Sequence, residues 1–421
     1  MSARLEIHDL APLGDGIHRA ARERIYVDRT LPGDVVEAKI QKPAGGIQRA
    51  ELLRVVEPSQ HRVPAPCAHY DVCGGCTLQH ASQAFYRDWK VETVRTALRR
   101  QDVEPEAWLD PVFISGATRR RATFAAFKKN NKVTLGYFQR RSHAVTEIAK
   151  CLVADPAILD VRVKLGGALV PILQEGKAAD IFIQTVNGQF DVVVTGPVGK
   201  KSRPDLHVYE AAAQAAETLG VNRLDWRARD FDEPEVMVER APLVARFGVL
   251  DVALPPLAFL QPTKAGEDAL VAAVMSALPA SGVVADLFSG CGTFAGAMLQ
   301  RGRVDAFESA ESAVRALDKA KGAKPLRAVR RDLFRAPLDA DEIKPFDAVV
   351  FDPPRAGAEA QARAMASSKV QRLVGVSCNP VTFARDARIL AQGGYTLESV
   401  KVVDQFTWSH HVELVGVFTK R

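Results

Sequence analysis

The sequence predicts an α/β protein. A mostly parallel, doubly wound sheet forms its carboxyl-terminal part, behind a small β-barrel and a central α+β region. Three observations carry this reading. From about residue 263, apolar strand-like runs alternate with helical patterns. The first 57 residues read as short strands separated by glycine turns. Between them, roughly 110–255 is strand-rich but irregular.

Taken in order, "LEIHDLAPLGDGI", "ERIYVDRTLPGDVVEAKI" and "AELLRVVEP" supply the first strands. Gly14, Gly16 and the Pro32-Gly33 pair punctuate them, and a five-stranded barrel fits this spacing. "PSQHRVPAPCAHYDVCGGC" follows without periodicity. Residues 82–100 read as an amphipathic helix with Ser82 as its N-cap. In "RRRATFAAFKKNNKVTLGYFQRRSH", basic residues alternate with Phe124, Phe127, Tyr137 and Phe138. By itself this segment reads as a solvated hairpin, although such spacing also suits single-stranded RNA. "KAGEDALVAAVMSAL" then reads as a helix, and "GVVADLF", "RVDAFE", "FDAVVFD", "RLVGVS", "TLESVKVVD" and "HVELVGVF" as strands.

Bulk properties narrow the class. A chain of 421 residues predicts two or three domains. Hydrophobic content of 47% and charged content of 25% are those of an ordinary globular protein. No apolar run could span a bilayer, and the N-terminus lacks a signal-peptide core, so a cytoplasmic location is expected. Six cysteines do not suggest a disulfide scaffold in that compartment. The net charge of +6 is compatible with a polyanionic partner without requiring one.

Chemistry-bearing residues fall at strand ends. In "DLFSGCGTF" a strand runs into Gly290 and Gly292, where backbone can approach a ligand closely. The loop lacks the Lys-Ser/Thr of a phosphate-cradling motif. Glu308 ends the next strand, where dinucleotide folds place a ribose-binding acid. Together, loop and acid favour an adenosine-containing ligand. In "FDPPRAG", two prolines stiffen the chain behind Asp352, and in "GVSCNP" a thiol, Cys378, stands between strand and helix. Separately, Cys67, Cys73 and Cys76 are closely spaced, and Cys151 lies further on. Four thiolates could hold zinc or an iron–sulfur cluster. The spacing is unlike the paired ligands of zinc ribbons, which favours the cluster.

These motifs, in this order, resemble the RNA uracil-5-methyltransferase family, on its iron–sulfur branch acting on 23S ribosomal RNA. "LPGDVVEAKI" resembles the end of a TRAM barrel, "CAHYDVCGGCTLQH" the cluster segment, and "LGYFQRRSHAVTEIAKC" the approach to the fourth ligand. "AFLQP", "DLFSGCGTF", "FDPPRAG", "VSCNPVTFARD" and "HVELVGVF" resemble the methyltransferase motifs. The resemblance implies a TRAM-like (OB-like) barrel over 1–57, an RNA-binding domain with a [4Fe-4S] cluster over 58–260, and a Rossmann-like methyltransferase domain over 261–421. It implies S-adenosylmethionine and RNA as partners, with no membrane and no obligate protein partner.

By that resemblance Cys378 is the nucleophile, Glu413 the general base, and Asp352 a further catalytic residue. Gln261, Phe288, Thr293, Glu308, Asp332 and Asp352 fall where the family contacts S-adenosylmethionine or the uracil. Cys67, Cys73, Cys76 and Cys151 fall on the cluster ligands. The chain departs from the family at Thr263, Ser289, Thr293 and "LDKAKGAK".

The chemistry requires such a set. Uracil C5 is a poor nucleophile until a thiolate adds at C6, and a base must then remove the C5 proton. The base must also leave its stack to be reached. A cytosine-5-methyltransferase would carry a second cysteine where Arg355 stands. An adenine N-methyltransferase would carry an aromatic residue after the prolines and need no thiol. Two alternatives remain: the same reaction on the tRNA T-loop, and a non-catalytic RNA-binding ribosome-assembly factor.

Overall fold

A computed structural model describes residues 2–20, 23–43, 45–142 and 144–420. His143, within one of the stretches quoted above, lies outside them. Among the described residues no helix is long and apolar enough to cross a membrane.

The amino-terminal unit is a six-stranded sheet rather than the expected five. The extra strand, Asp9–Leu10, is two residues long and pairs with Gly16–Ala20. A pair so short leaves no alternation in the sequence. Leu5, Ile25, Val27, Val36 and Ala50 form its buried core. The central unit is a seven-stranded, mainly antiparallel sheet. Helices Pro156–Ala168 and Leu206–Leu219 share its core. Arg121–Lys129 pairs with Lys132–Phe138 as expected, but not as a solvated hairpin: Arg121–Lys129 also pairs with Ala178–Val186 and Phe124 is buried in the core.

The carboxyl-terminal sheet has eight strands. Leu326–Arg330, Gly302–Glu308, Gly282–Leu287, Ala348–Phe351 and Arg372–Ser377 run parallel, in that spatial order. Glu413–Lys420 is antiparallel to Arg372–Ser377 and to Tyr395–Asp404. Val349 and Phe351 face one apolar layer while Ala348 and Val350 face the other, as the pleat requires. Helices Gln83–Arg99, Glu359–Ser367 and Pro380–Gln392 cover the first side. Lys264–Ala277 and Glu311–Ala320 cover the second. Packing is close enough to select a glycine: a Cβ on Gly375 would lie 2.6 Å from the Phe351 ring.

The boundary expected at 260/261 does not describe this sheet. Its last strand is Ala107–Phe113, parallel to Tyr395–Asp404. Residues of helix Gln83–Arg99 and of hairpin Val244–Phe247/Leu250–Ala253 also belong to its two apolar layers. The central sheet is thus inserted into the carboxyl-terminal unit rather than preceding it.

Candidate active site

The strand Gly282–Leu287 lies between strands that follow it in opposite directions along the sheet, which opens a crevice at the carboxyl strand ends. A cavity of about 390 Å³ occupies it. Gln261, Phe288, Thr293, Glu308, Asp332, Asp352, Cys378 and Glu413 all line this one cavity.

Its floor is shaped by backbone. Phe288 adopts φ 62°, unusual for a bulky side chain, as the strand breaks into the glycine loop. Gly292 has φ 91°, and a Cβ there would meet Leu317 at 2.6 Å. Phe288 and Phe334 form an aromatic pair with centroids 5.5 Å apart. Glu308 Oε2 accepts from Gly290 N at 2.9 Å, while Oε1 accepts from Ser309 N at 2.7 Å and Ala310 N at 2.8 Å. Glu308 therefore ties the loop to the start of helix Glu311–Ala320, whose N-cap Ala310 offers no side-chain acceptor. Asp332 is folded onto its own turn, accepting from Phe334 N at 3.0 Å. Ser289 Oγ is buried without a hydrogen-bond partner. An orphan hydroxyl, an aromatic pair and a loop-held carboxylate thus stand together at this end of the cavity.

At the other end of the cavity are the thiol and two carboxyls. Cys378 follows strand Arg372–Ser377, and Asn379 caps the next helix by accepting from Val381 N at 3.1 Å. Pro380 takes the first helical position, where a missing N–H costs nothing. Burial first, then the carboxyls of Glu413 and Asp352, push the thiol up to about 11, against Arg355. Burial pushes Asp352 up to about 7. Glu413 is raised well above its ordinary value by burial and Asp352, while Arg121 and a hydrogen bond from Gln405 oppose this. Gln261 joins the group, accepting from Gln405 Nε2 at 2.7 Å and facing Asp352 Oδ2 at 3.5 Å.

Several residues at this site escaped the sequence reading. Arg121 stacks over Phe259 at 4.2 Å and senses both Glu413 and Cys378. The three arginines of "RRR" diverge. Arg119 lines the cysteine cavity, Arg120 pairs with Glu267 and donates to Gln261 O, and Arg121 lies over Phe259. Strand alternation could separate neighbours but not name their targets. Gln405 and His411 lie in an irregular connection with no pattern to find. His411 Nδ1 is 3.2 Å from an Arg355 guanidinium nitrogen.

Cys67, Cys73, Cys76 and Cys151 line a second cavity, of about 290 Å³. Cys73 Sγ accepts from Gly75 N at 3.4 Å, and Cys151 Sγ from Val153 N at 3.4 Å and Ala154 N at 3.3 Å. Burial and the other three sulfurs push Cys76 up to about 12. Among the described residues, however, no three His, Cys, Asp or Glu side chains are arranged to hold a metal ion. The four thiols share a chamber without converging on one point.

Comparison with known proteins bears on this geometry. A family model for tRNA (uracil-5-)-methyltransferase matches residues 309–421. An uncharacterised RNA methyltransferase of Brucella suis is 40% identical, covering 100% of this chain and 98% of its own. The 23S rRNA (uracil(1939)-C(5))-methyltransferase RlmD of Acinetobacter baumannii is 30% identical, over 94% of this chain and 89% of its own. The structure of Pyrococcus abyssi tRNA (uracil-54, C5)-methyltransferase in complex with S-adenosyl-L-homocysteine shares the fold. Its TM-score is 0.77 at 21% identity, with 99% of each chain covered.

Proposed function

The chain belongs to the RNA uracil-5-methyltransferase family, enzymes dependent on S-adenosylmethionine, and from that premise we propose that it methylates a 23S ribosomal RNA uridine through Cys378 and Glu413. The observation that carries the residue roles is the single cavity joining the glycine loop and Glu308 to Asp352, Cys378 and Glu413. The ribosomal substrate is supported by the 30% identity to the Acinetobacter enzyme.

The roles follow from position. Phe288, Thr293, Glu308 and Asp332 hold the nucleoside end of the methyl donor, with Gln261 and Asp352 toward the uracil. Cys378 loses its thiol proton to solvent and Sγ adds to C6, the C–S bond forming as the C5–C6 π pair shifts onto C5. C5 takes the sulfonium methyl, and the thioether product departs. Glu413, whose ionised form Arg121 and Gln405 favour, then removes the C5 proton, the ring double bond re-forms and the C–S bond breaks, returning a thiolate that takes a proton back from solvent. Arg355 and Arg121 flank the thiol and the base and offset the charge that moves between them. Neutral Asp352 can donate to a uracil carbonyl, which a raised carboxyl permits at physiological pH.

Cys67, Cys73, Cys76 and Cys151 would hold a [4Fe-4S] cluster, whose role would be to fold the loop joining the amino-terminal sheet to the central unit. It supplies no chemistry to methyl transfer. The TRAM-like sheet and the basic central hairpin grip RNA around the extruded base.

The test is radiolabelled methyl transfer to unmodified 23S rRNA and tRNA, with the product nucleoside identified. Label in 5-methyluridine of rRNA supports the reading. Label confined to tRNA moves the substrate, and label in another nucleoside overturns the reaction.

A further inference from the structure

Lys90 is wholly buried and still forms an ion pair. Its Nζ donates to Asp404 Oδ1 at 2.9 Å and to the backbone carbonyl of His411. Lys90 comes from helix Gln83–Arg99, far from the cavity in sequence. Asp404 ends strand Tyr395–Asp404, and His411 lies just before Glu413, the first residue of the final strand. One ammonium therefore joins both ends of the 405–412 connection.

Other bonds complete the clamp. Asp404 Oδ1 also accepts from Phe406 N at 3.1 Å, and Asp404 Oδ2 takes the Tyr86 hydroxyl. That hydroxyl accepts from Trp408 N at 3.0 Å. The connection has no helix or strand of its own, so these bonds set its shape together with those from Thr77 N and Leu78 N to the Trp408 carbonyl and from Thr407 Oγ1 to the Ile114 carbonyl. It begins with Gln405, which contacts Glu413, and it delivers Glu413.

A buried ion pair is a weak source of stability, since desolvation offsets much of the attraction. An apolar pair of similar volume is often as stable. What an apolar pair would not do is meet the His411 carbonyl. We propose that Lys90 is a positioning residue for Glu413, acting through Asp404 and the His411 carbonyl without touching substrate. This rests on the reading of Glu413 as the base that removes the C5 proton.

The test separates methyl transfer from proton removal. RNA tritiated at uracil C5 is mixed with labelled methyl donor, and methyl incorporation and tritium release are followed in a single turnover. Lys90→Met with Asp404→Asn removes both charges and leaves no unpaired buried ion. Its fold is checked by thermal melting.

Methyl incorporation is expected at near the wild-type rate. Tritium release should slow by about tenfold to a hundredfold, the scale of a small misplacement of a reacting group. A methylated protein–RNA adduct should then persist in denaturant. Lys90→Gln with Asp404→Asn, which keeps a donor near the His411 carbonyl, should recover part of the release rate. If the Met variant does not fold, Lys90→Gln with Asp404→Asn should by itself show the same separation to a smaller degree.

Tritium release that keeps step with methyl incorporation in these variants overturns the proposal, whether both are fast or both slow. Glu413→Gln is run alongside. If it gives no methylated adduct, the base lies elsewhere and the underlying reading fails. If it gives the adduct while the Lys90 variants release tritium normally, only the role of Lys90 fails.

Discussion

Cys378 and Glu413 stand side by side because Ser377 pairs with Leu414 across antiparallel strands. Cys378, which follows Ser377, and Glu413, which precedes Leu414, then lie at the same end of the sheet. All the neighbouring parallel strands present their carboxyl ends there. A strand running parallel to them would have carried Glu413 to the opposite edge. The single reversal in strand direction therefore brings a residue that begins a strand to residues that follow others.

This pairing predicts two different failures. Cys378→Ala can form no C–S bond and should give neither methylated RNA nor a denaturant-stable complex. Glu413→Gln can add and methylate but cannot expel the thiolate readily. It should accumulate an adduct containing the transferred methyl on denaturing gels. Normal turnover by Glu413→Gln would assign proton removal to another group. Methylation by Cys378→Ala would remove the covalent route altogether.

The buried carboxyls predict a stability cost. Asp352 and Glu413 are both raised in the folded protein. Between the ordinary carboxylate range and those raised values, the folded state holds protons that the unfolded chain releases. Stability then falls as pH rises through that window, and the loss persists above it. Asp352→Asn removes the ionisation. It should stabilise the protein at about pH 8 by on the order of 1–4 kcal/mol, and by much less near pH 4. Methyl transfer should fall in the same variant. Thermal melting at the two pH values decides this, and a lower midpoint at both would mean that Asp352 is a structural group.

Glu308 predicts a loss with two parts. Its carboxylate is held by Gly290, Ser309 and Ala310, so Glu308→Ala frees both the glycine loop and a helix start. Affinity for the methyl donor should drop by roughly 1–3 kcal/mol, as for a lost hydrogen bond to a charged group. Glu308→Gln, which keeps one acceptor, should lose less. Unchanged affinity by calorimetry in Glu308→Ala would remove this residue from the donor site.

The cavity was legible in the sequence because each of its motifs sits where a strand stops. A glycine loop, an acid, a proline pair and a thiol at four strand ends converge once the strands are parallel neighbours. What was not legible depends on packing. Trp108 and its strand carry no mark linking them to a sheet whose first parallel strand begins at Gly282. The Asp9–Leu10 strand is too short for a period. Arg121 reads as one more solvated cation until the central sheet turns it onto Phe259. Lys90 sits on a helix that looks only amphipathic, and its burial follows from Asp404, which is distant in the chain.

The cysteine chamber predicts a coloured protein. Anaerobically purified enzyme should be brown, with about four irons per chain. Replacing Cys76 by serine should abolish the colour and lower the melting midpoint. Colourless wild-type protein holding one equivalent of zinc would exclude the cluster.

The thiol itself makes the last prediction. Burial, Glu413 and Asp352 push Cys378 up to about 11, with Arg355 opposing them. The free enzyme therefore keeps Cys378 protonated near neutrality. That serves a purpose, because the thiol shares its cavity with the site proposed for a reactive sulfonium donor, and a standing thiolate would compete with RNA for the methyl group. Alkylation of Cys378 by iodoacetamide, followed on its peptide by mass spectrometry, should rise about tenfold per pH unit between about pH 7 and 9. Glu413→Gln removes a negative neighbour and should move the curve to lower pH. Arg355→Gln removes the opposing cation and should move it to higher pH. A rate that is flat across that range would mean a preformed thiolate, and the nucleophile would then be protected from the donor by distance rather than by its proton.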